Sequence, residues 1–215
     1  MVKTALVVCQ GVASSDGYLY DLVKDDSYFT NKFAKIVNVP TDEIFSLKQP
    51  WYLKPLRKLG NKIDDVFDFL LRRKERIEAC RMTRNAIRGL EMDGYSVSVL
   101  AHSLGNIITL TSGPNSAATP IIIDTFYMLG CPLGFKYLLM RMKVNSFVER
   151  FSNNFTARKI HYLYSEGDSI SCKLNARVVD ILESKSMETP SIYHTNTSHD
   201  AKEYLDYLKE NIVVS

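Results

Sequence analysis

Ser103 has the surroundings of a reactive serine. The stretch from Tyr95 to Gly113 reads YSVSVLAHSLGNIITLTSG. It opens with an alternating apolar run, Val97, Val99 and Ala101, which predicts a buried strand. Asn106 to Leu110 carries apolar residues at helical spacing. Between them stands Ala101-His102-Ser103-Leu104-Gly105, a sharp turn with Ser at its apex. Strand and helix backbones pass close together at such a turn. The residues two before and two after the Ser must therefore be small, as Ala101 and Gly105 are. A Ser hydroxyl is a poor nucleophile until a base takes its proton. A neutral His does this near neutral pH, and a buried carboxylate fixes the His tautomer and stabilises the imidazolium. The competing reading is that Ser103 merely caps the helix that follows.

Length and composition bound the rest. A chain of 215 residues fits one domain with a substantial core. Its 46% hydrophobic and 24% charged residues are ordinary for a soluble globular protein. A net charge of +3 is too small to imply nucleic acid, and no apolar run is long enough to span a membrane. Cys9, Cys80, Cys131 and Cys172 show no metal-ligand spacing and suit a reducing, cytoplasmic location, although an even count leaves disulfides open. No metal or cofactor is expected.

The elements that must position the chemistry follow in order. Lys3 to Cys9 is a continuous apolar run, the pattern of a strand buried on both faces. Its apolar character and Lys3 superficially mimic a signal peptide, but Gln10 interrupts it early. Tyr18 to Phe33 predicts a helix, and Ala34 to Val39 a short strand closed by Pro40. Thr41 to Leu59, with Phe45, Trp51 and Tyr52 among its prolines, is either part of a lid or surface packing. Asn61 to Met92 is a long helical pattern with a break near Arg72, in which Ile77, Cys80, Thr83, Ile87 and Leu90 share a face. Its clustered Arg and Lys residues mark a solvated helix face, and Asp93-Gly94 ends it. Ile121 to Leu129, Lys159 to Tyr164 and Pro190 to Thr195 read as further strands. Phe135 to Val148 is a packed helix or cap, and Ala201 to Asn211 an amphipathic helix with Tyr204, Leu205 and Leu208 inward.

The string Ala-His-Ser-Leu-Gly, in place of Gly-x-Ser-x-Gly, with a strand before and a helix after, resembles the nucleophile elbow of the α/β-hydrolase superfamily of Ser-His-Asp esterases and lipases. Gly130-Cys131-Pro132-Leu133 similarly resembles the Gly-Ser-Pro-Leu found in lipase-like members. The resemblance implies a triad acid just past a strand end, after a glycine. Asp168 in Ser165-Glu166-Gly167-Asp168 fits, with Glu166 as the alternative and a turn or helix cap as the non-catalytic role. It implies a catalytic His between the last strand and the last helix. His199 fits, whereas His194 and His161 lie inside strands. His102 is next to the Ser but is expected to point away. The order Ser103, Asp168, His199 is that of the superfamily and unlike that of chymotrypsin or subtilisin. The resemblance further implies an oxyanion hole from the N–H groups of Val12, after Gln10-Gly11, and Leu104; a simple strand-to-helix loop is the alternative for 10–15.

The expectation is an α/β protein of a single domain, 1–215, with a mainly parallel sheet of about six strands flanked by helices. A small or partial lid would come from 41–60 and 131–150, with Trp51, Tyr52, Phe135 and Leu138 bordering the substrate. The expected reaction is hydrolysis of a small acyl ester or lipid-like ester. Thioester hydrolysis or acyl transfer at the same site, or an inactive binding scaffold, are the alternatives. Fold alone selects none of them.

Overall fold

A computed structural model describes residues 2–11, 18–46, 72–113, 119–133, 148, 154–168, 170–171 and 174–212. Its centre is a six-stranded sheet: β1 Lys3–Cys9, β2 Lys35–Val39, β3 Tyr95–His102, β4 Ile121–Leu129, β5 Phe155–Ser165 and β6 Ser191–Thr195. The spatial order is β2-β1-β3-β4-β5-β6 and every pairing is parallel. All six strands therefore end at one edge. Ordering reverses between β1 and β3, which makes their ends the switch point where sites form in open parallel sheets.

The continuous apolar runs follow from burial on both faces. Ala5, Val7 and Cys9 of β1 join Val97, Val99 and Ala101 of β3 in one core, while Leu6, Val8 and Leu100 enter the other. Full burial of each Val, Leu or Ile side chain stabilises the fold by about 1.5–3 kcal/mol. The first core is covered by α3 Thr41–Ser46, α4 Arg73–Met92, α5 Leu104–Leu110 and α6 Ala176–Ser184. The second is covered by α1 Tyr18–Lys24, α2 Ser27–Thr30 and α7 Ala201–Asn211. In α7, Tyr204, Leu205 and Leu208 point inward, as their spacing predicts. Among the described residues no helix is long and apolar enough to cross a membrane.

Several expectations need correction. Tyr18 to Phe33 is two helices, because Asp26 takes an extended conformation and its side chain caps Tyr28 N–H, which restarts the chain. The helix α4 starts at Arg73, next to the expected break, but Arg72 is not on the solvated face: its buried guanidinium donates to the Phe45 carbonyl at 2.7 Å. Ile77 is exposed, and Ala79 instead joins Thr83, Ile87 and Leu90 on the buried face. β5 starts at Phe155, four residues earlier than the pattern suggests. The helix after it starts at Ala176 and is capped by Asn175, not by Asp168. On α4, Arg81 pairs with Glu78 and Arg88 with Glu91, the charge pairing of a solvated face.

His161 is a buried histidine inside β5. Its ring stacks on Tyr127 at 5.3 Å between centroids and lies 5.8 Å from Tyr193, whose hydroxyl is 3.2 Å from Nδ1. Burial, with a smaller contribution from the Lys159 charge, pushes its pKa down to about 4. The unfolded chain thus binds this proton more readily than the folded one. The stabilising contribution is present above the unfolded value of about 6.5 and is lost as pH falls through about 4. Urea unfolding from pH 7 to pH 4 is expected to show stability falling with acid, and His161→Phe is expected to flatten that slope. Equal slopes in the two proteins would show that His161 does not titrate in this way.

Candidate active site

Ser103 occupies the turn between β3 and α5 with φ 54° and ψ −128°, a backbone region that favours glycine. Its neighbours hold it there. Ser103 N–H donates to the Leu129 carbonyl at the end of β4, at 3.0 Å. The fully buried Asn106 amide donates to the carbonyls of Ser103 and Leu129, both at 2.9 Å. Ser103 makes no side-chain cap bond to α5, so its hydroxyl is available to the His199 ring.

The steric need for Gly105 comes from a different strand than expected. A Cβ there would overlap the carbonyl oxygen of Cys9, at the end of β1, and lie 2.8 Å from its carbon. Gly11 is constrained in the same way: a Cβ would sit 2.8 Å from Ser103 Cβ and 3.3 Å from Leu104 N. The segment after β1 thus runs directly over the turn. Gln10 anchors it, its side-chain oxygen accepting Leu19 N–H at 2.5 Å and its carbonyl accepting the Thr41 hydroxyl at 2.5 Å.

Asp168 and His199 arrive from the ends of β5 and β6. His199 Nε2 lies 2.9 Å from Ser103 Oγ, and Nδ1 lies 2.6 Å from Asp168 Oδ2. An N–H donated from Nδ1 to the carboxylate leaves Nε2 as acceptor for the Ser hydroxyl. Asp168 Oδ1 accepts Ile170 N–H at 2.9 Å, so the turn role and the pairing with His199 coexist. Burial pushes the Asp168 carboxyl up, but the His199 hydrogen bond and charge, with the N–H groups of Ile170 and Ser171, outweigh it. The pKa lies below the usual carboxylate value. The two loops are stitched together: Ser165 Oγ donates to the Thr197 carbonyl at 2.7 Å, and the Thr195 and Thr197 hydroxyls meet at 2.8 Å.

Of the alternatives, Glu166 and His194 are exposed, and His194 lies against the Tyr164 ring. The His102 ring lies beside His199, centroids 4.8 Å apart. Leu104 follows Ser103 at the start of α5, as expected. Val12, Trp51, Tyr52, Phe135 and Leu138 lie outside the described residues. Of the lid segments, 41–60 is described only over 41–46, where Phe45 packs in the core, and 131–150 only at 131–133 and 148. Three residues shaping the site were read from the sequence only as parts of their elements, not as site residues: Asn106, Gly130 and Tyr204. Asn106 in an otherwise apolar helix start was the visible signal. Among the described residues no cluster of His, Cys, Asp and Glu could hold a metal ion.

No protein-family model and no curated protein matches the sequence. Solved structures do match. The SOBER1 protein of Arabidopsis thaliana is 14% identical, with a TM-score of 0.53 over 97% of this chain and 96% of that one. A dienelactone hydrolase from Anabaena variabilis is 13% identical, TM-score 0.51, over 97% and 83%. Esterase PE8 is 11% identical, TM-score 0.54, over 97% and 91%. At this identity the likeness is one of fold, and the fold is that of the α/β hydrolases.

The positive φ of Ser103 gives a stability test. Ser103→Gly and Ser103→Ala both remove the hydroxyl, but only glycine relieves the backbone. Strain of this kind costs about 1–3 kcal/mol, and glycine's extra entropy loss offsets about 0.5–1 kcal/mol of the relief. Denaturant unfolding is expected to rank Ser103→Gly above Ser103→Ala. The reverse order would mean that the turn is not strained.

Proposed function

We propose that this chain is a serine hydrolase that cleaves acyl esters through an acyl-Ser103 intermediate. The observation that supports this reading best is the continuous relay from Ser103 Oγ through His199 to Asp168, at 2.9 and 2.6 Å. Ser103 Oγ attacks the ester carbonyl while its proton passes to His199 Nε2. The buried Asp168 carboxylate holds the Nδ1 proton and stabilises the imidazolium. Negative charge on the tetrahedral oxygen is met by the N–H groups of Leu104 and Val12. Collapse returns the proton to the departing alcohol. Water, deprotonated by His199, then releases the acid. No metal or cofactor takes part.

In this reading 1–215 is one catalytic domain, acting in the cytoplasm. Its substrate is a small or lipid-like ester whose acyl group is bordered by Trp51, Tyr52, Phe135 and Leu138. The esterases and the dienelactone hydrolase among the structural neighbours support ester chemistry on this fold. A thioester, or an alcohol in place of water, would use the same groups, so a graded panel of esters and thioesters decides between them.

A fluorophosphonate probe is expected to label the protein once, at Ser103, and Ser103→Ala to abolish labelling and turnover. His199→Ala should remove nearly all turnover, with His194→Ala and Glu166→Gln mild. Asp168→Asn should lower kcat by roughly four orders of magnitude, as in serine proteases. In wild type, kcat/KM should fall in acid as the base is protonated. Labelling that survives Ser103→Ala, or an inactivating His194→Ala beside a silent His199→Ala, would refute the assignment.

A further inference from the structure

We propose that Tyr204 is a positioning residue for the acid of the relay, holding Asp168 through the same oxygen that receives His199. The proposal rests on the serine-hydrolase reading above. Tyr204 lies on α7, is fully buried, and donates its hydroxyl to Asp168 Oδ2 at 3.0 Å. The carboxylate, itself without solvent exposure, then has His199 and Tyr204 on Oδ2 and Ile170 N–H on Oδ1. With the Ser171 N–H as a further backbone donor, these groups hold both oxygens of the carboxylate. On Oδ2 Tyr204 stands beside the imidazole, the group whose charge changes in every cycle.

The anchor moves with the base rather than with the acid. His199 immediately precedes Asp200, the N-cap of α7, and Tyr204 is on the second turn of the same helix. Ala201, Leu205 and Leu208 fasten that helix to the sheet. One rigid element therefore sets both the imidazole and the donor that aims its partner. Gly130, with φ +52°, closes the opposite side: a Cβ there would lie 3.0 Å from Tyr204 Cε2, 3.2 Å from Asp168 Oδ2 and 3.4 Å from His199 Nδ1. Bare backbone at 130 lets the phenol, carboxylate and imidazole close together.

Tyr204 also tunes the pair. A second donor on Oδ2 withdraws charge that would otherwise stabilise the imidazolium. Burial first, and the Asp168 charge with it, push the Tyr204 hydroxyl well above its ordinary value, so it stays a neutral donor throughout the working range. The titratable groups around it are Asp168 from the β5 loop, His199 at the start of α7 and His102 from β3, whose ring centroid lies 6.1 Å from that of Tyr204.

The test uses the whole chain with Tyr204→Phe and, at the same position, a site-specifically incorporated fluorotyrosine, a stronger donor of nearly the same shape. Three readouts are taken: fluorophosphonate labelling, steady-state ester kinetics across pH, and NMR titration of the His199 ring. Tyr204→Phe is expected to lower kcat about three- to tenfold with KM little changed, the effect of losing about one hydrogen bond. It should also move the His199 titration and the acid limb of kcat/KM to higher pH by a few tenths of a unit. Fluorotyrosine should move both the other way, which keeps the proposal open to refutation even if the Phe variant folds poorly. Labelling at Ser103 with unmoved titration and kcat, whatever the loss in melting temperature, would overturn the role of Tyr204 alone. Absence of labelling in the wild type would overturn the hydrolase reading itself.

Discussion

The site depends on one steric constraint, the contact between the start of α5 and the end of β1. Gly105 lies so close to the Cys9 carbonyl that no side chain fits, and a Cβ at Gly11 would lie 2.8 Å from Ser103 Cβ. This contact fixes where α5 can start, and so forces the chain to reverse within a single residue after β3. The cost appears at Ser103, whose backbone is held at positive φ. Other groups offset it: the Ser103 N–H bond to Leu129, the two Asn106 bonds, and a helix buried along its whole length.

The sheet converts that local strain into geometry. Parallel strands place the ends of β3, β5 and β6 on one edge at fixed spacings, so residues 96 positions apart in sequence meet within a hydrogen bond. β4 lies between β3 and β5, and its last residue and the one after it serve both sides. Leu129 receives the turn, and Gly130 leaves room for the carboxylate and imidazole. The electrostatics follow from the packing. A carboxylate with no solvent exposure stays charged only because donors surround it, and those donors also aim it.

Much of this was legible in the sequence. Local patterns carried the six strands, the final helix and the turn at Ser103, because apolar runs and small residues report the burial and crowding of their own segment. The chain order of Ser103, Asp168 and His199 added the resemblance to a known arrangement. Errors fell where local pattern and tertiary packing disagree. Ile77 follows a spacing of three to Cys80 and Thr83, but two such steps turn it about 120° away from Thr83, whereas Ala79, four residues before Thr83, shares the buried face. Asp26 splits an apparently continuous helix through a single cap bond.

The sequence by itself determined the kinds of element, their order and the residues able to do acid–base and nucleophilic chemistry, since these depend on near neighbours. Only the tertiary structure decided which strand crowds Gly105, that His102 faces His199, and that Tyr204 reaches Asp168. Each of these is a contact between segments brought together by strand order and helix packing. No periodicity within one segment encodes the angle at which its neighbour arrives.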